Sequence, residues 1–288
     1  MWAINGSKRQ LLKEQFEHER YYHFKLLEEQ DYERRKALYA DAYSEEARRR
    51  MVELLGNRES RGFRHINVEY LRPFLKGKVV VDIGCGYGKA VRVFSKLCDR
   101  VIGVEVDPEL VEEATRQARE AGVRNASFQQ GWATETSLPP RSVDVFHSND
   151  MVEHLHPDDF DRHLEEAIRV LRPGGVLAFI TASGLFGPSD ISQNFLPRGA
   201  PAEGLHLFEP TFAQLAQRLK AKGFVRIRTP AVTFRICEVL PFKRLTTQIW
   251  WPIEVKVALE RIGLIRRNMT LARLLGLYGI LIVARPPA

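Results

Sequence analysis

The ten residues VVVDIGCGYG at 79–88 restrict the fold more than any other stretch. An apolar β-branched run, Val79 to Val81, stops at Asp82, and three alternating glycines then lead into a helix-forming segment from about Lys89. A strand that turns this sharply into a helix is the entry to a βαβ unit, and the bend lies at the carboxyl edge of a parallel sheet, where open α/β sheets bind ligands. Glycine serves there because it takes positive φ and lets a ligand approach the main chain without meeting a Cβ, while the helix N-terminus offers unpaired N–H groups. Dinucleotide enzymes place G-x-G-x-x-G at the same point, so a glycine triplet alone says little. The spacing here is G-x-G-x-G, with Asp82 two residues before it.

The rest of the chain supports that reading. Strands are predicted near 78–83, 101–106, 126–130, 143–148, 175–181 and 224–229, with helices near 89–97, 108–121, 158–170 and 211–222. Alternation of this kind predicts a Rossmann-like, doubly wound α/β fold, a mostly parallel seven-stranded sheet covered on both faces. A last apolar run, Gly279 to Ala284, is expected to return as an antiparallel edge strand. Before the domain, residues 8–55 are dense in both charge signs and free of Pro and Gly, which favours helix. Apolar positions Leu12, Phe16, Leu27, Leu38, Met51 and Leu55 keep no heptad, so two packed helices are expected rather than a coiled coil. Residues 1–60 form a helical extension in this reading: a cap on the domain, a lid over its site, or the arm of a homodimer. Residues 61–288 form the domain itself, with a helical insertion at about 238–277.

The residues around the turn specify a ligand. A pyrophosphate gains nothing from a neighbouring carboxylate, whereas an amino-acid ammonium group does, which suits Asp82. Glu105 ends the second strand about twenty residues on, placed to accept hydrogen bonds from both hydroxyls of a ribose. A ribose with an amino-acid tail is S-adenosylmethionine. The ordered set VVDIGCGYG, VIGVEVDPEL, GWATETSLPPRSVDVFHSNDMVEHL and AIRVLRPGGVLAFITAS resembles the class I S-adenosylmethionine-dependent methyltransferases over roughly residues 66–230. The resemblance implies a cofactor set of Asp82, Gly84, Cys85, Gly86 and Gly88 around the methionine part, and Glu105 and Val106 at the ribose. Gly131, Trp132 and Ala133 then flank the adenine, with Asn149 at the end of the fourth strand. Many relatives have Gly-Asp-Ala where this chain has Gly131-Trp132-Ala133. Trp132 cannot accept the adenine amino hydrogen bond; it either stacks on the adenine face or is buried beside the third strand.

Chemistry is expected just after the fourth strand. Asp150, Glu153 and His154 fall at i, i+3 and i+4, one face of a helical turn, and can hold a hard divalent cation or accept a proton. Both roles suit oxygen acceptors, since a hydroxyl is a weak nucleophile until it loses its proton. The segment resembles the E-x-x-E-H of ubiquinone-biosynthesis O-methyltransferases and small-RNA terminal 2′-O-methyltransferases. That resemblance implies a magnesium-type site from Asp150, Glu153, His154 and, through GLHLFE, His206. The alternative is metal-free general-base catalysis by His154 or His206, with Asp150 beside them. Loop 181–206, long and irregular, is expected to close over the acceptor and resembles bacterial methyltransferases of polysaccharide and glycolipid assembly. His147, His156 and His163 read as ordinary polar residues near a helix start.

Composition bounds the partners. A net charge of +7 admits an anionic partner. The insertion concentrates it in Lys243, Arg244, Lys256, Arg261, Arg266, Arg267 and Arg273 against Glu254 and Glu260. With Trp250 and Trp251 alongside, that suggests peripheral contact with an anionic membrane or substrate; the alternative is a second hydrophobic cluster over the sheet. Nucleic acid is admitted by charge alone, with no aromatic-basic RNA-binding module visible. Cys85, Cys98 and Cys237 form neither a disulfide framework nor a C-x-x-C pair, and the N-terminus lacks the apolar core of a signal peptide, so a cytoplasmic protein is expected. The function implied is methyl transfer to a hydroxyl of a small molecule, glycan or glycolipid. Its rivals are an RNA 2′-O-methyltransferase and a catalytically inactive methyltransferase-like binding protein.

Overall fold

The computed structural model describes residues 6–55, 65–231, 249–277 and 279–287. Three helices come first: α1 (Gly6–Glu28), α2 (Tyr32–Ala42) and α3 (Glu45–Leu55). Asp31 caps α2 by accepting the Arg34 N–H at 2.9 Å, which separates it from α1. Then follow α4 (His65–Leu75), β1 (Val79–Ile83), α5 (Lys89–Phe94), β2 (Arg100–Glu105), α6 (Pro108–Glu120), β3 (Ala126–Gln130) and β4 (Val143–Asn149). The second half holds α7 (Pro157–Val170), β5 (Leu171–Ala182), α8 (Phe212–Ala221), β6 (Val225–Pro230) and β7 (Trp250–Pro252). It ends with α9 (Ile253–Glu260), α10 (Gly263–Arg267), α11 (Met269–Leu274) and β8 (Gly279–Arg285). The boundary at 60/61, Cys237, Lys243, Arg244 and the first part of the insertion lie outside the described residues.

The strands form one eight-stranded sheet in the order β3-β2-β1-β4-β5-β8-β6-β7. The first five run parallel, and β8 is antiparallel to both β5 and β6. The mostly parallel α/β fold is as expected, with two differences. Trp250–Pro252 adds an eighth strand, antiparallel to β6. Strand β8 is no edge: it lies between β5 and β6, and its apolar run Ile280 to Ala284 is buried accordingly. A continuous apolar strand belongs inside a sheet covered on both faces, so the composition of this run already argued for an interior place.

Neighbouring residues of each strand serve opposite faces. Val81 and Ile83 pack with Phe146, Phe160, Leu164 and Phe212 on the side of α7 and α8. Val80 packs with Tyr70, Leu71, Phe94 and Leu281 on the side of α4 and α5. The sheet is therefore doubly wound, and full burial of each such side chain contributes about 1.5–3 kcal/mol. A third, smaller cluster joins Leu26 and Ala42 of the N-terminal helices to Leu205 and Leu207 of the loop before α8, and so seats these helices beside the carboxyl edge of the sheet.

Candidate cofactor and acceptor site

At the end of β1 the chain turns through Gly84, Gly86 and Gly88 with φ of 67°, 50° and 71°. Backbone in this region costs a residue with a Cβ energy, and at Gly84 and Gly88 space opposes one as well. A Cβ on Gly84 would stand 2.6 Å from Met151 Cγ, and one on Gly88 would stand 2.7 Å from the Phe128 ring. Glu105, at the end of the adjacent β2, accepts the Gly86 N–H at 2.8 Å on one oxygen and the Val106 N–H at 2.8 Å on the other. Burial raises its carboxyl above the ordinary glutamate range, and those two N–H donors work in the opposite direction.

Beside this turn opens a cavity of about 630 Å³. One wall is Gly84, Glu105, Val106, Gly131, Trp132 and Ala133, and the floor is Asp150, Met151, His154, Leu155 and Asp159. The opposite wall comes from the N-terminal helices: Tyr32, Lys36 and Tyr39, which the 4-3 spacing brings onto one face of α2, Tyr43 at its C-terminal cap, and Arg48 of α3. The N-terminal extension thus supplies part of the cavity lining.

Buried and polar contacts fasten that wall. Arg35 and Asp159 pair bidentately at 2.6 and 2.9 Å with side chains 1% exposed, and the Arg35 guanidinium also donates to the carbonyls of Glu29 and Gln30, both at 2.9 Å. The Tyr39 hydroxyl accepts the His156 N–H at 2.6 Å. Tyr32 bonds the Thr134 hydroxyl, Lys36 reaches Glu135 at 3.3 Å, and Arg48 pairs with Asp107 and Glu109. None of these residues was predicted for the site. Their signal was present in the one-faced spacing of 32, 36 and 39, but a charged, Tyr-rich helix with no motif shows its role only once its neighbour is known.

Of the predicted cofactor set, Gly84, Glu105, Val106, Gly131, Trp132 and Ala133 line the cavity. Asp82, Cys85, Gly86, Gly88 and Asn149 do not. The Asp82 carboxylate is 2.6 Å from the His147 Nδ1, because β1 and β4 set these residues opposite each other in register. His147 is thus a buried residue of β4 rather than one near a helix start. His163 is likewise buried within α7, where its Nδ1–H donates to the Ala133 carbonyl at 2.8 Å and burial lowers its pKa to about 4. His156 matches its reading, capping the N-terminus of α7 by accepting the Asp158 N–H. Gly86 spends its N–H on Glu105, Cys85 is buried, and the Asn149 amide donates to Asp150 at 2.9 Å. Trp132 is half-buried and faces the cavity, its ring 6.5 Å from that of Tyr39 and 5.6 Å from the Lys36 ammonium.

Asp150, Glu153 and His154 do not share one helical turn, although Asp150 and His154 line the same cavity. Asp150 takes a φ of 50°, and only Val152–His154 coil, as a 3₁₀ turn. What assembles instead is Glu153, His154 and His206, whose ligand atoms lie within 4.8 Å of one another. The His154 and His206 rings meet edge to face at 4.7 Å. His154 Nδ1 faces the Leu205 carbonyl at 3.0 Å and the Tyr43 hydroxyl at 2.8 Å. A carbonyl only accepts, so that bond requires the proton on Nδ1 and leaves the lone pair on Nε2. Burial raises the Glu153 carboxyl to about 7, although it accepts the Thr181 hydroxyl at 3.0 Å. Burial disfavours a charged His206, but Glu209, bonded to its Nδ1 at 2.7 Å, outweighs it with Glu153 and Asp190 and raises the imidazole to about 9. Thr181, Ser189 and Glu209 support this cluster; they lie in the stretches singled out in the sequence, but none of them was named for the site.

A known family matches residues 80–175. Over these residues the chain matches a methyltransferase domain. A probable S-adenosylmethionine-dependent methyltransferase of Mycolicibacterium smegmatis is 32% identical over 58% of this chain and 60% of its own length. The ubiquinone biosynthesis O-methyltransferase of Azorhizobium caulinodans is 30% identical over 54% of this chain and 61% of its own. The matched stretch thus spans less than two thirds of these relatives. A crystal structure of an S-adenosylmethionine-dependent methyltransferase from Aquifex aeolicus superposes with a TM-score of 0.51 at 18% identity, covering 82% of this chain and 96% of that one, which shows the shared fold. In this methyltransferase domain, the N-terminal helices that wall the cavity lie before the matched residues.

Proposed function

We propose that this chain transfers a methyl group from S-adenosylmethionine to a hydroxyl of a small molecule or glycan. The observation that carries the reading is one cavity whose lining joins Glu105 and Gly84 to His154. The residues fit the cofactor: a carboxylate stands where a ribose diol needs two acceptors, bare Gly84 faces the space a sulfonium tail would cross, and Trp132 offers a face to an adenine. Bound there, S-adenosylmethionine supplies the electrophilic methyl. The chain's own part is to hold the acceptor in line, exclude water with the α2 wall, and take the hydroxyl proton on His154 Nε2. His154 is poised for this because the Leu205 carbonyl fixes its tautomer and Tyr43 holds its ring.

Metal assistance is a second reading, favoured by the clustering of Glu153, His154 and His206 donors. A divalent cation held by these three would lower the pKa of an acceptor hydroxyl. Asp150 stands outside that donor set. The test is transfer of tritiated methyl into fractionated host extract with and without chelator. Label in a phenol or glycan supports the proposal, and label in RNA overturns its acceptor class. His154→Ala is expected to slow transfer at least about a hundredfold, the usual worth of a general base, with S-adenosylhomocysteine affinity unchanged. An unaltered rate removes His154 from the chemistry.

A further inference from the structure

The insertion between β6 and β8 carries a surface that the methyl-transfer reading does not use. The tryptophans that suggested membrane contact face inward: Trp250 packs edge-on against Tyr70 and Phe74 at 6.1 and 5.7 Å, and Trp251 is half-buried, 5.1 Å from the Lys256 ammonium. Lys256 is itself buried, donating to the carbonyls of Ala231 and Leu275. What faces out is different. Leu264, 68% exposed, is the most exposed large apolar side chain among the described residues, and Ile262 beside it is 46% exposed. Val255 and Ala258, three apart and both exposed on α9, extend this apolar surface.

Its charge is as one-sided as its exposure. Arg261 and Arg267 are exposed on either side of the Ile262–Leu264 tip and make no ion pair among the described residues. Two carboxylates of the insertion are engaged elsewhere. Glu260 is buried, accepting the Phe212 and Ala213 N–H groups at the start of α8, and Glu254 pairs with Lys220 at 2.6 Å. An exposed aliphatic tip flanked by two arginines suits the boundary between anionic headgroups and acyl chains. A nucleic-acid backbone would satisfy the arginines and leave Ile262 and Leu264 nothing to bury against.

We propose that the Arg261–Leu264 tip and the outer stripe of α9 dock on an anionic lipid bilayer. The topology aims this contact at the site. Gly279, the first residue of β8, pairs with Ala182, the last of β5, so the insertion rejoins the sheet at the carboxyl edge that also carries the glycine turn after β1. Docking there holds the edge that bears the cavity toward the membrane, where an acceptor bearing a lipid would be presented.

The test is co-sedimentation of the full chain with phosphatidylcholine vesicles, with and without phosphatidylglycerol. Binding is expected only when phosphatidylglycerol is present. It should weaken about fivefold for each of Arg261→Gln and Arg267→Gln, and at least about tenfold for Leu264→Ser. Leu264→Trp, which keeps an interfacial side chain, should bind at least as well as the unaltered chain. S-adenosylhomocysteine affinity is expected to stay constant in all four variants, which shows that they remain folded and separates this proposal from the methyl-transfer reading. Equal binding to neutral vesicles, no loss in Leu264→Ser, or binding to RNA in place of vesicles would overturn it.

Discussion

The two appendages of this domain treat buried charge in opposite ways. In the N-terminal helices, Arg35 is buried against a carboxylate, and Asp159 holds its guanidinium charged, above the ordinary arginine value. In the C-terminal insertion, Lys256 is buried against two carbonyls, and burial lowers its ammonium to about 7. A paired charge makes a permanent clamp, and one met only by carbonyls makes a group that can shed its proton. The first appendage also turns two further polar residues inward: Glu19 accepts the Leu205 N–H at 3.1 Å, and His23 Nδ1 lies 2.7 Å from the Gly204 carbonyl. It has become a wall of the cavity. The second keeps its arginines and aliphatic tip outside, as a surface.

The sharpest way to break the comparison is to unpair the clamp. Arg35→Ala leaves the Asp159 carboxylate buried alone and is expected to cost about 3–5 kcal/mol in denaturant unfolding, while weakening S-adenosylhomocysteine binding as α2 detaches. The double change Arg35→Met with Asp159→Leu should recover most of that stability, since apolar pairs of similar volume replace buried ion pairs at little cost. A single substitution that costs under about 1 kcal/mol would mean the pair behaves as an exposed one.

Lys256 should show itself in the pH dependence of stability. Its pKa is lower in the folded chain, about 7 against an ordinary 10.5, so between those values the unfolded chain binds more protons. Stability therefore rises with pH across that window, by a few kcal/mol on the order expected for such a depression, and the cost of the buried ammonium is present in full below it. Lys256→Met is expected to remove this rise in melts taken between pH 7 and 10. The same rise in the variant would assign it to another group. The smallest effect expected is that of Trp132→Ala, a loss of about 1 kcal/mol in S-adenosylhomocysteine affinity for a stacking face, with little change in melting temperature. An unchanged affinity would return Trp132 to a packing role.

The central sheet was legible because its signals are local: Val79 to Val81, the alternating glycines, and Glu105 each follow from strand period and turn chemistry. What was not legible depends on register between distant segments. His147 opposite Asp82, Arg35 against Asp159, and Tyr43 on His154 join residues 65, 124 and 111 positions apart, and no spacing rule reaches that far. The helical turn expected over Asp150, Glu153 and His154 is shorter than read for a local reason: Asp150 is left-handed and only Val152–His154 coil. The interior place of β8 was recoverable, since an unbroken apolar strand rarely sits at an edge.

The account depends most on the carboxylate of Glu105 as the ribose holder, and calorimetric titration of S-adenosylhomocysteine tests it directly. The unaltered chain is expected to bind one equivalent, and Glu105→Ala to bind at least about tenfold more weakly, the worth of charged hydrogen bonds lost. No heat from the unaltered chain, or equal affinity in a Glu105→Ala variant of unchanged melting temperature, would contradict it.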